Sequence, residues 1–251
     1  WIIPSPVYFV YYFLGSVKFI FTTCSFGDRT MIPIECVKKI SYKFNRKIDK
    51  VSISTKMILK HNYYYFKKAV SLSTCKKILK AGRKKIIEAA TTFGDIDKTK
   101  RDCKVSWIND KWIYDIINPF IHAANKEADW NFEWDWNETS QFTIYEKGHY
   151  YGWHTDQNHL LKHPSKNING KTRKLSLTLQ LTDKTEYEGG NFQFKWIQDN
   201  KKDPLNIVTV DDAKDIGTVI IFPSFIHHQV LPVTKGKRES LVNWSIGNSF
   251  S

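Results

Sequence analysis

The segment RKLSLTLQLTD, residues 173–183, constrains the fold of this chain more than any other stretch. Every odd-numbered position of 175–181 is leucine, and every even-numbered position of 176–182 is serine, threonine or glutamine. Residues two apart in an extended chain point to the same side, so this alternation places all the leucines on one face. The segment therefore predicts a β-strand with an apolar face and a polar face.

Further short strands are predicted around this segment. SQFTIYEKG (140–148) and NFQFKW (191–196) alternate in the same way. GTVIIFPS (217–224) is typical of a buried strand, and HHQVLPVTKGKRESLVNWSIG (227–247) predicts two strands around a Lys-Gly turn. Together they predict about seven or eight short strands after residue 137.

Two helices are predicted before these strands. STCKKILKAGRKKIIEAATTF (73–93) has apolar residues at helical spacing, with Ser73 or Thr74 as its cap. NDKWIYDIINPFIHAANKEA (109–128) has a similar period, and Pro119 is expected to kink or divide it. Helices followed by many short strands predict a mainly β protein with N-terminal helices (α+β), built as a sandwich or jelly roll.

The first 56 residues differ from the rest. Residues 1–26 are almost continuously apolar, which permits a membrane anchor. Met57, in contrast, opens a segment that reads like a protein start. We therefore predict one domain over 57–251 and interpret 1–56 as an unassigned leader that need not belong to the natural protein. A membrane partner is expected only if residues 1–26 are a true anchor.

Charge and cysteine content limit the partners and the compartment. The formal net charge is +13, of which residues 1–56 carry +6, leaving +7 for the predicted domain. This excess is too small and too scattered to favour nucleic acid as a partner. The four cysteines form no CxxC pair, which argues against a zinc knuckle or a disulfide framework. The sequence favours a reducing, cytoplasmic setting and assigns no oligomeric state.

A possible metal site begins in GWHTDQNHL, residues 152–160. His154 and Asp156 lie two apart, so an extended chain presents both side chains to one point. One further histidine would complete a set of two histidines and one carboxylate, which suits Fe(II) and leaves coordination positions open. The pair alone is weak evidence, because such spacing is common by chance.

The third ligand must come from another part of the chain. The remaining histidines are His61, His122, His149, His159, His163, His227 and His228. His227 and His228 follow the predicted buried strand 217–224, as a ligand from a facing sheet would. Arg238 and Ser240 lie further on, and an alternating strand directs both to the same side. A guanidinium beside a hydroxyl is suited to hold a carboxylate.

Two motifs carry a specific resemblance. The pattern Y-x-x-G-x-x-Y-x-x-H-x-D falls on Tyr145, Gly148, Tyr151, His154 and Asp156. The pattern P-S-x-x-x-H-x-V-x-P-V-x-x-G-x-R-x-S-L-V spans residues 223–242 and includes His228, Arg238 and Ser240. With EYEGGNFQF (186–194) between them, they resemble the iron(II)- and 2-oxoglutarate-dependent dioxygenases of the prolyl 4-hydroxylase type. The small phage and marine bacterial members are the most similar.

The resemblance implies a fold and a site. The expected core is a double-stranded β-helix (jelly-roll, cupin-like) with Fe(II) held by His154, Asp156 and His228. His227 takes the place where the family often has an aromatic residue. The cosubstrate 2-oxoglutarate is expected on Arg238, with Ser240 and Tyr145 assisting. Dioxygen is the second cosubstrate, and ascorbate is the expected reductant.

The resemblance also implies a reaction. It is hydroxylation of an unactivated C–H bond with release of succinate and CO2, and a prolyl or other residue of a protein or peptide is the favoured target. The alternatives are hydroxylation of a free amino acid or small molecule, oxidative demethylation of nucleic acid, and a non-catalytic binding module. The loop 157–171 follows the metal pair and is predicted to be a flexible lid.

Overall fold

The computed structural model describes residues 59, 61–85, 87–90, 97–157, 160–197 and 205–250. The leader and the candidate membrane anchor predicted within residues 1–56 lie outside them. No helix in the described ranges combines the length and the apolar character that crossing a membrane requires.

The described part of the chain is mainly β. Two α-helices occur, α1 (Leu72–Arg83) and α2 (Lys111–Glu127), with a short 3-10 helix at Asp211–Lys214. The strands are β1 (Tyr64–Phe66), β2 (Glu88–Ala89), β3 (Arg101–Asp102), β4 (Lys104–Ile108), β5 (Trp136–Asn137), β6 (Ser140–Tyr145), β7 (Tyr150–His154), β8 (Thr172–Gln180), β9 (Tyr187–Gly189), β10 (Phe192–Ile197), β11 (Leu205–Thr209), β12 (Val219–Pro223), β13 (His227–Val230), β14 (Val233–Gly236) and β15 (Arg238–Gly247). The predicted class, mainly β with N-terminal helices, is confirmed.

The strands form two main antiparallel sheets. The larger has eight strands in the order β1-β12-β8-β15-β6-β4-β2, with β5 also paired to β15. The smaller has five strands in the order β11-β10-β13-β7-β3, and β14 pairs with β9 separately. Most neighbours are distant in sequence, as expected where strands alternate between the two sheets of a jelly roll.

The two faces of β8 explain the alternation in residues 173–183. The four leucines are buried in one hydrophobic cluster with Ile113, Ile117 and Ile121 of α2. On the polar face, the Ser176 hydroxyl donates a hydrogen bond to Asp156. The leucine face of the strand is therefore covered by helices, and its polar face turns toward the candidate site.

A second hydrophobic cluster lies on the other side of the large sheet. Its members include Tyr145, Phe192, Phe194, Phe222 and Val230. These residues come from β6, β10, β12 and β13, so the cluster joins the two sheets.

The first helix is shorter than the sequence indicates. Ser71, rather than Ser73 or Thr74, caps it, accepting a hydrogen bond from the Thr74 N–H. The helix ends at Arg83, and Glu88–Ala89 instead pairs with β4. Gly82 and the run of like charges after it weaken helix continuation, and β4 offers backbone partners there.

Two other expectations about elements are corrected. The second helix is continuous through Pro119, which lies on its exposed side, so this proline does not divide it, and the alternative expectation of a kink stays a prediction. The C-terminal segment forms three strands rather than two. Pro232 lacks a backbone donor and separates β13 from β14, and β14 then pairs with β9 instead of its sequence neighbour.

Candidate metal centre

Two neighbouring strands of the small sheet bring the candidate ligands together. His154 at the end of β7 lies opposite His228 of β13 in the antiparallel register. Asp156 follows β7 by two residues, and its backbone N–H donates to the Ser224 carbonyl at 2.9 Å. Strand pairing thus joins residues that are far apart in the sequence.

His154, Asp156 and His228 form the group that could hold a metal ion. One ligand atom from each lies within 4.8 Å of the others. His154 Nε2 is 3.7 Å from Asp156 Oδ1, and His228 Nε2 is 3.6 Å from Asp156 Oδ2. Asp156 and His228 are buried, and His154 is half-buried. The three side chains therefore converge on one point.

Backbone carbonyls set the tautomers of both imidazoles. His154 Nδ1 lies 2.8 Å from the Gly152 carbonyl, and His228 Nδ1 lies 3.0 Å from the Ile226 carbonyl. A carbonyl only accepts, so each Nδ1 carries a hydrogen, and in the neutral form of each ring the lone pair is on Nε2. That lone pair points toward the carboxylate, where a cation would be bound. Two imidazoles and one carboxylate are the donor set that fits Fe(II).

Electrostatics favour a neutral His154 and an ionised Asp156. Burial, aided by His228, lowers the pKa of His154 to about 3. Burial disfavours the ionised Asp156, but His228, His154 and Arg173 outweigh it and lower the pKa of Asp156 to about 2. At neutral pH the site therefore offers a neutral His154 and an ionised Asp156.

The residues predicted to hold a carboxylate lie in the same cavity, which has a volume of about 1290 Å³. Arg238 of β15 pairs with Tyr145 of β6, and its guanidinium lies 5.5 Å from the tyrosine ring. Arg238 Nη1 donates toward Ser240 Oγ at 3.4 Å. All three are buried, and burial raises the pKa of Tyr145, so its hydroxyl stays a donor. The cavity therefore combines a cation and two hydroxyls with the three candidate metal ligands.

His227 differs from its neighbour. It is exposed, whereas His228 is buried, because successive residues of β13 face opposite ways. The converging group contains His228 and not His227. The geometry therefore favours His228 as the ligand.

Several site residues were missed at the level of sequence. Tyr151 stacks on His154 with ring centroids 3.4 Å apart, and the Arg101 guanidinium lies 4.6 Å from the Tyr151 ring. Tyr151 belongs to the first motif, but its role was not predicted. Arg101 could be found only from the pairing of β3 with β7, which places it opposite Tyr151.

A second missed group borders the cavity. Arg173 donates two hydrogen bonds to Glu138, at 2.6 and 2.8 Å, and its guanidinium lies 3.9 Å from the Trp244 ring. Trp244 is buried and lines the cavity together with Arg173. Glu138 ends the acidic segment WNFEWDWNE (130–138), and this segment is the sequence feature from which Glu138 could have been predicted.

The predicted lid borders the cavity. Leu160, Leu161 and Lys162 contribute to its lining. Leu161 is tied to the end of the loop, because it donates to the Lys171 carbonyl at 2.7 Å and accepts from the Gly170 N–H at 2.8 Å. The location suits a lid, and its movement stays a prediction.

Comparisons with known proteins agree with this site. Residues 140–246 match the model of the 2OG-Fe(II) oxygenase superfamily, where 2OG is 2-oxoglutarate. A PKHD-type hydroxylase of Synechococcus sp. (strain CC9902) is 37% identical over 99 residues, which are 39% of this chain and 37% of that protein. The match thus spans about two fifths of the length of the curated relative.

Solved structures share the fold. A Pseudomonas putida prolyl-4-hydroxylase aligns with a TM-score of 0.57 at 17% identity, covering 74% of this chain and 92% of that chain. A Trichoplax adhaerens prolyl hydroxylase, in complex with a hypoxia inducible factor oxygen degradation domain peptide fragment, aligns with a TM-score of 0.52 at 14% identity over 73% of this chain and 83% of that one. The predicted double-stranded β-helix core is confirmed.

The matched residues 140–246 include all six predicted site residues, from Tyr145 to Ser240. The superfamily's description implies Fe(II) and 2-oxoglutarate, and the donor set at the converging group fits that metal. The resemblance inferred from the two motifs is confirmed. Residues 140–246 of this chain match the 2OG-Fe(II) oxygenase superfamily model, and the candidate metal ligands and the candidate carboxylate clamp all lie within that match.

Proposed function

We propose that this chain is an Fe(II)- and 2-oxoglutarate-dependent dioxygenase that hydroxylates an unactivated C–H bond of a prolyl or other residue in a protein or peptide. The observation that carries the proposal is the convergence of His154, Asp156 and His228 within 4.8 Å, with both Nε2 lone pairs available. The buried Arg238 in the same cavity supports the choice of 2-oxoglutarate as the cosubstrate, because its guanidinium can bind a carboxylate.

The three converging side chains would hold the metal through three donors and leave the remaining positions open. When bound, Fe(II) with dioxygen supplies the oxidising power for hydroxylation, while 2-oxoglutarate is converted to succinate and CO2. One oxygen atom of O2 enters the product and the other enters succinate, so the reaction balances. Ascorbate would keep the iron reduced between turnovers.

Arg238 would orient the cosubstrate. Its planar guanidinium can form paired hydrogen bonds with the carboxylate distant from the metal. Ser240 Oγ and the neutral Tyr145 hydroxyl could each add one donor. Because Arg238 is buried, this attraction is weakly screened by solvent.

The cavity walls would protect the reaction from water. Phe192, Phe222 and Val230 line the cavity near His228 and supply an apolar surface. Leu160 and Leu161 border the opening and could close over a bound substrate.

A peptide target is supported by the structural neighbours, which are prolyl hydroxylases, one of them bound to a peptide fragment. The PKHD-type relative supports hydroxylation as the reaction. Free amino acids, other small molecules and methylated nucleic acid are tested as competing substrates.

The test uses the full chain with Fe(II), ascorbate and 2-oxoglutarate. We expect succinate to form and a proline-rich peptide to gain the mass of one oxygen atom. Free amino acids and a methylated oligonucleotide are offered in parallel, with His154→Ala as the inactive control. Oxidation of one of these instead would reassign the substrate class. Absence of succinate with every substrate would contradict the proposed activity.

A further inference from the structure

Ser176 connects the polar face of β8 to the candidate metal centre. Its side chain is 1% exposed, and its Oγ lies 2.7 Å from Asp156 Oδ2 and 2.9 Å from Ser224 Oγ. Ser224 is also fully buried. These contacts involve no candidate metal ligand other than Asp156.

The direction of each hydrogen bond follows from the chemistry of the groups. An ionised carboxylate only accepts hydrogen bonds, so the Ser176 hydroxyl donates to Asp156. The hydroxyl has one hydrogen and therefore cannot also donate to Ser224. The contact between the two serines must then use the Ser224 hydroxyl as donor and the Ser176 oxygen as acceptor. The chain of donation therefore runs from Ser224 through Ser176 to Asp156.

Ser224 holds Asp156 in a second way. Its backbone carbonyl accepts the N–H groups of Asp156 and Gln157, each at 2.9 Å. Ser224 directly follows β12, and its N–H in turn donates to the carbonyl of Lys174 in β8 at 3.0 Å. The backbone of Asp156 and its carboxylate are thus both tied to the large sheet, although β7 belongs to the small one.

We infer that Ser176 is a positioning residue that fixes the orientation of the Asp156 carboxylate toward the two candidate imidazole ligands. Its hydrogen bond holds Oδ2, which lies 3.6 Å from His228 Nε2, and so also sets Oδ1, which lies 3.7 Å from His154 Nε2. This inference rests on the proposed function, because it assumes a metal at the converging group.

The expected size of the effect is substantial. Removing an outer hydrogen bond to a metal-binding group typically weakens metal binding about 10- to 100-fold. In Ser176→Ala, the buried carboxylate loses a donor and can rotate away from the two imidazoles.

The test measures the Co(II) dissociation constant of the full chain and the visible absorption of bound Co(II), which reports the coordination number. Ser176→Ala is expected to bind Co(II) at least about tenfold more weakly and with an altered spectrum. Ser176→Thr keeps the hydroxyl and should restore both values. Ser224→Ala should have a smaller effect, because it removes only the donor to Ser176.

Ser245→Ala is the matched control. Ser245 is equally buried in the same sheet, and its hydroxyl donates to Asn137 at 3.1 Å, not to Asp156. It should leave the dissociation constant and the spectrum unchanged. A general loss of sheet stability would instead affect Ser245→Ala and Ser176→Ala alike.

The outcomes separate this inference from the proposed function. Wild-type protein that binds no Co(II) would overturn the proposed metal site itself. Wild-type binding that is retained unchanged in Ser176→Ala, or not restored in Ser176→Thr, would overturn only the role of Ser176. If Ser176→Ala does not fold, Ser224→Ala decides, and an unchanged Co(II) affinity and spectrum in that variant would contradict the inference.

Discussion

At the scale of single residues, the same type of backbone hydrogen bond orients the two candidate imidazole ligands. Each donates from Nδ1 to the carbonyl of the residue two positions earlier, Gly152 for His154 and Ile226 for His228. In an extended strand this contact is local, so each ring is oriented by its own strand. The pairing of β7 with β13 then brings the two Nε2 atoms to one point.

Arg238 gives the first prediction, on cosubstrate selectivity. Arg238→Ala should weaken 2-oxoglutarate binding by about 2–5 kcal/mol, because a buried carboxylate would lose its charged partner. Binding of 2-oxopentanoate, which has the same carbon chain without the distal carboxylate, should change little. Calorimetric titration of both ligands into wild type and variant measures the difference. An equal loss for both ligands would show that Arg238 does not contact the distal carboxylate.

Cys75 gives the second prediction, on thiol reactivity. It is fully buried, and burial raises the pKa of its thiol to about 11. A raised pKa means less thiolate at any pH below it, so at pH 8 the thiolate fraction should be about 100-fold below that of an exposed cysteine. Iodoacetamide labelling followed by peptide mass mapping should leave Cys75 unmodified in the folded protein and modify it in urea. Rapid labelling in the folded state would contradict the burial of α1 against the sheet.

The sequence indicated the candidate ligands and the candidate clamp more readily than the residues that contact them. His154, Asp156 and Arg238 occur at spacings whose chemistry is recognisable, and the motifs favoured His228 over His227. Ser176 was noted only as one polar residue of an alternating strand. Its contact with Asp156 depends on the register between β8 and β12 and on the turn after β7, which no local pattern specifies.

At the scale of elements, α1 is held to the large sheet by close contacts near its end. Gly82 lies against the buried Phe142 ring, and its carbonyl accepts a hydrogen bond from Ser106 at 2.8 Å. Arg83 Nε donates to the buried Glu239 at 2.8 Å, next to Arg238 on β15. The end of the helix therefore supports the strand that carries the candidate carboxylate clamp.

Gly82→Ala gives the third prediction. Alanine favours a helix over glycine by about 1 kcal/mol, but its Cβ would overlap the fully buried Phe142 ring. Overpacking of a core typically costs about 1–3 kcal/mol, so the clash should outweigh the gain. Urea unfolding should show a net loss of stability, while Lys80→Ala on the exposed side should stay within about 0.5 kcal/mol of wild type. A more stable Gly82→Ala protein would mean that the contact is looser than described.

Element types were easier to predict than element ends. The period of two in residues 173–183 identified a strand, and the period in residues 109–128 identified α2. The predicted helix over 73–93 extended too far, because the apolar residues after Arg83 fit a helical period equally well. Glu88 forms a strand instead of a helix because its backbone pairs with Val105. Val105 is too far along the sequence for a local pattern to reveal this pairing.

At the scale of the whole molecule, the domain boundary that we predict at Met57 gives the fourth prediction. A protein comprising residues 57–251 should fold, bind Co(II) and melt at the same temperature as the full chain, because both helices, both main sheets and all six predicted site residues lie within it. Thermal melting and Co(II) titration of both proteins provide the comparison. Loss of folding or of metal binding on removal of residues 1–56 would place the domain boundary elsewhere.

Metal binding by the full chain tests the central claim most directly. Anaerobic titration with Fe(II) should give one ion per wild-type chain, the same stoichiometry in His227→Ala, and no tight binding in His228→Ala or Asp156→Ala. The two histidine variants are matched, because they remove the same ring from adjacent positions. Retained binding in His228→Ala with loss in His227→Ala, or equal binding in all four proteins, would contradict the account.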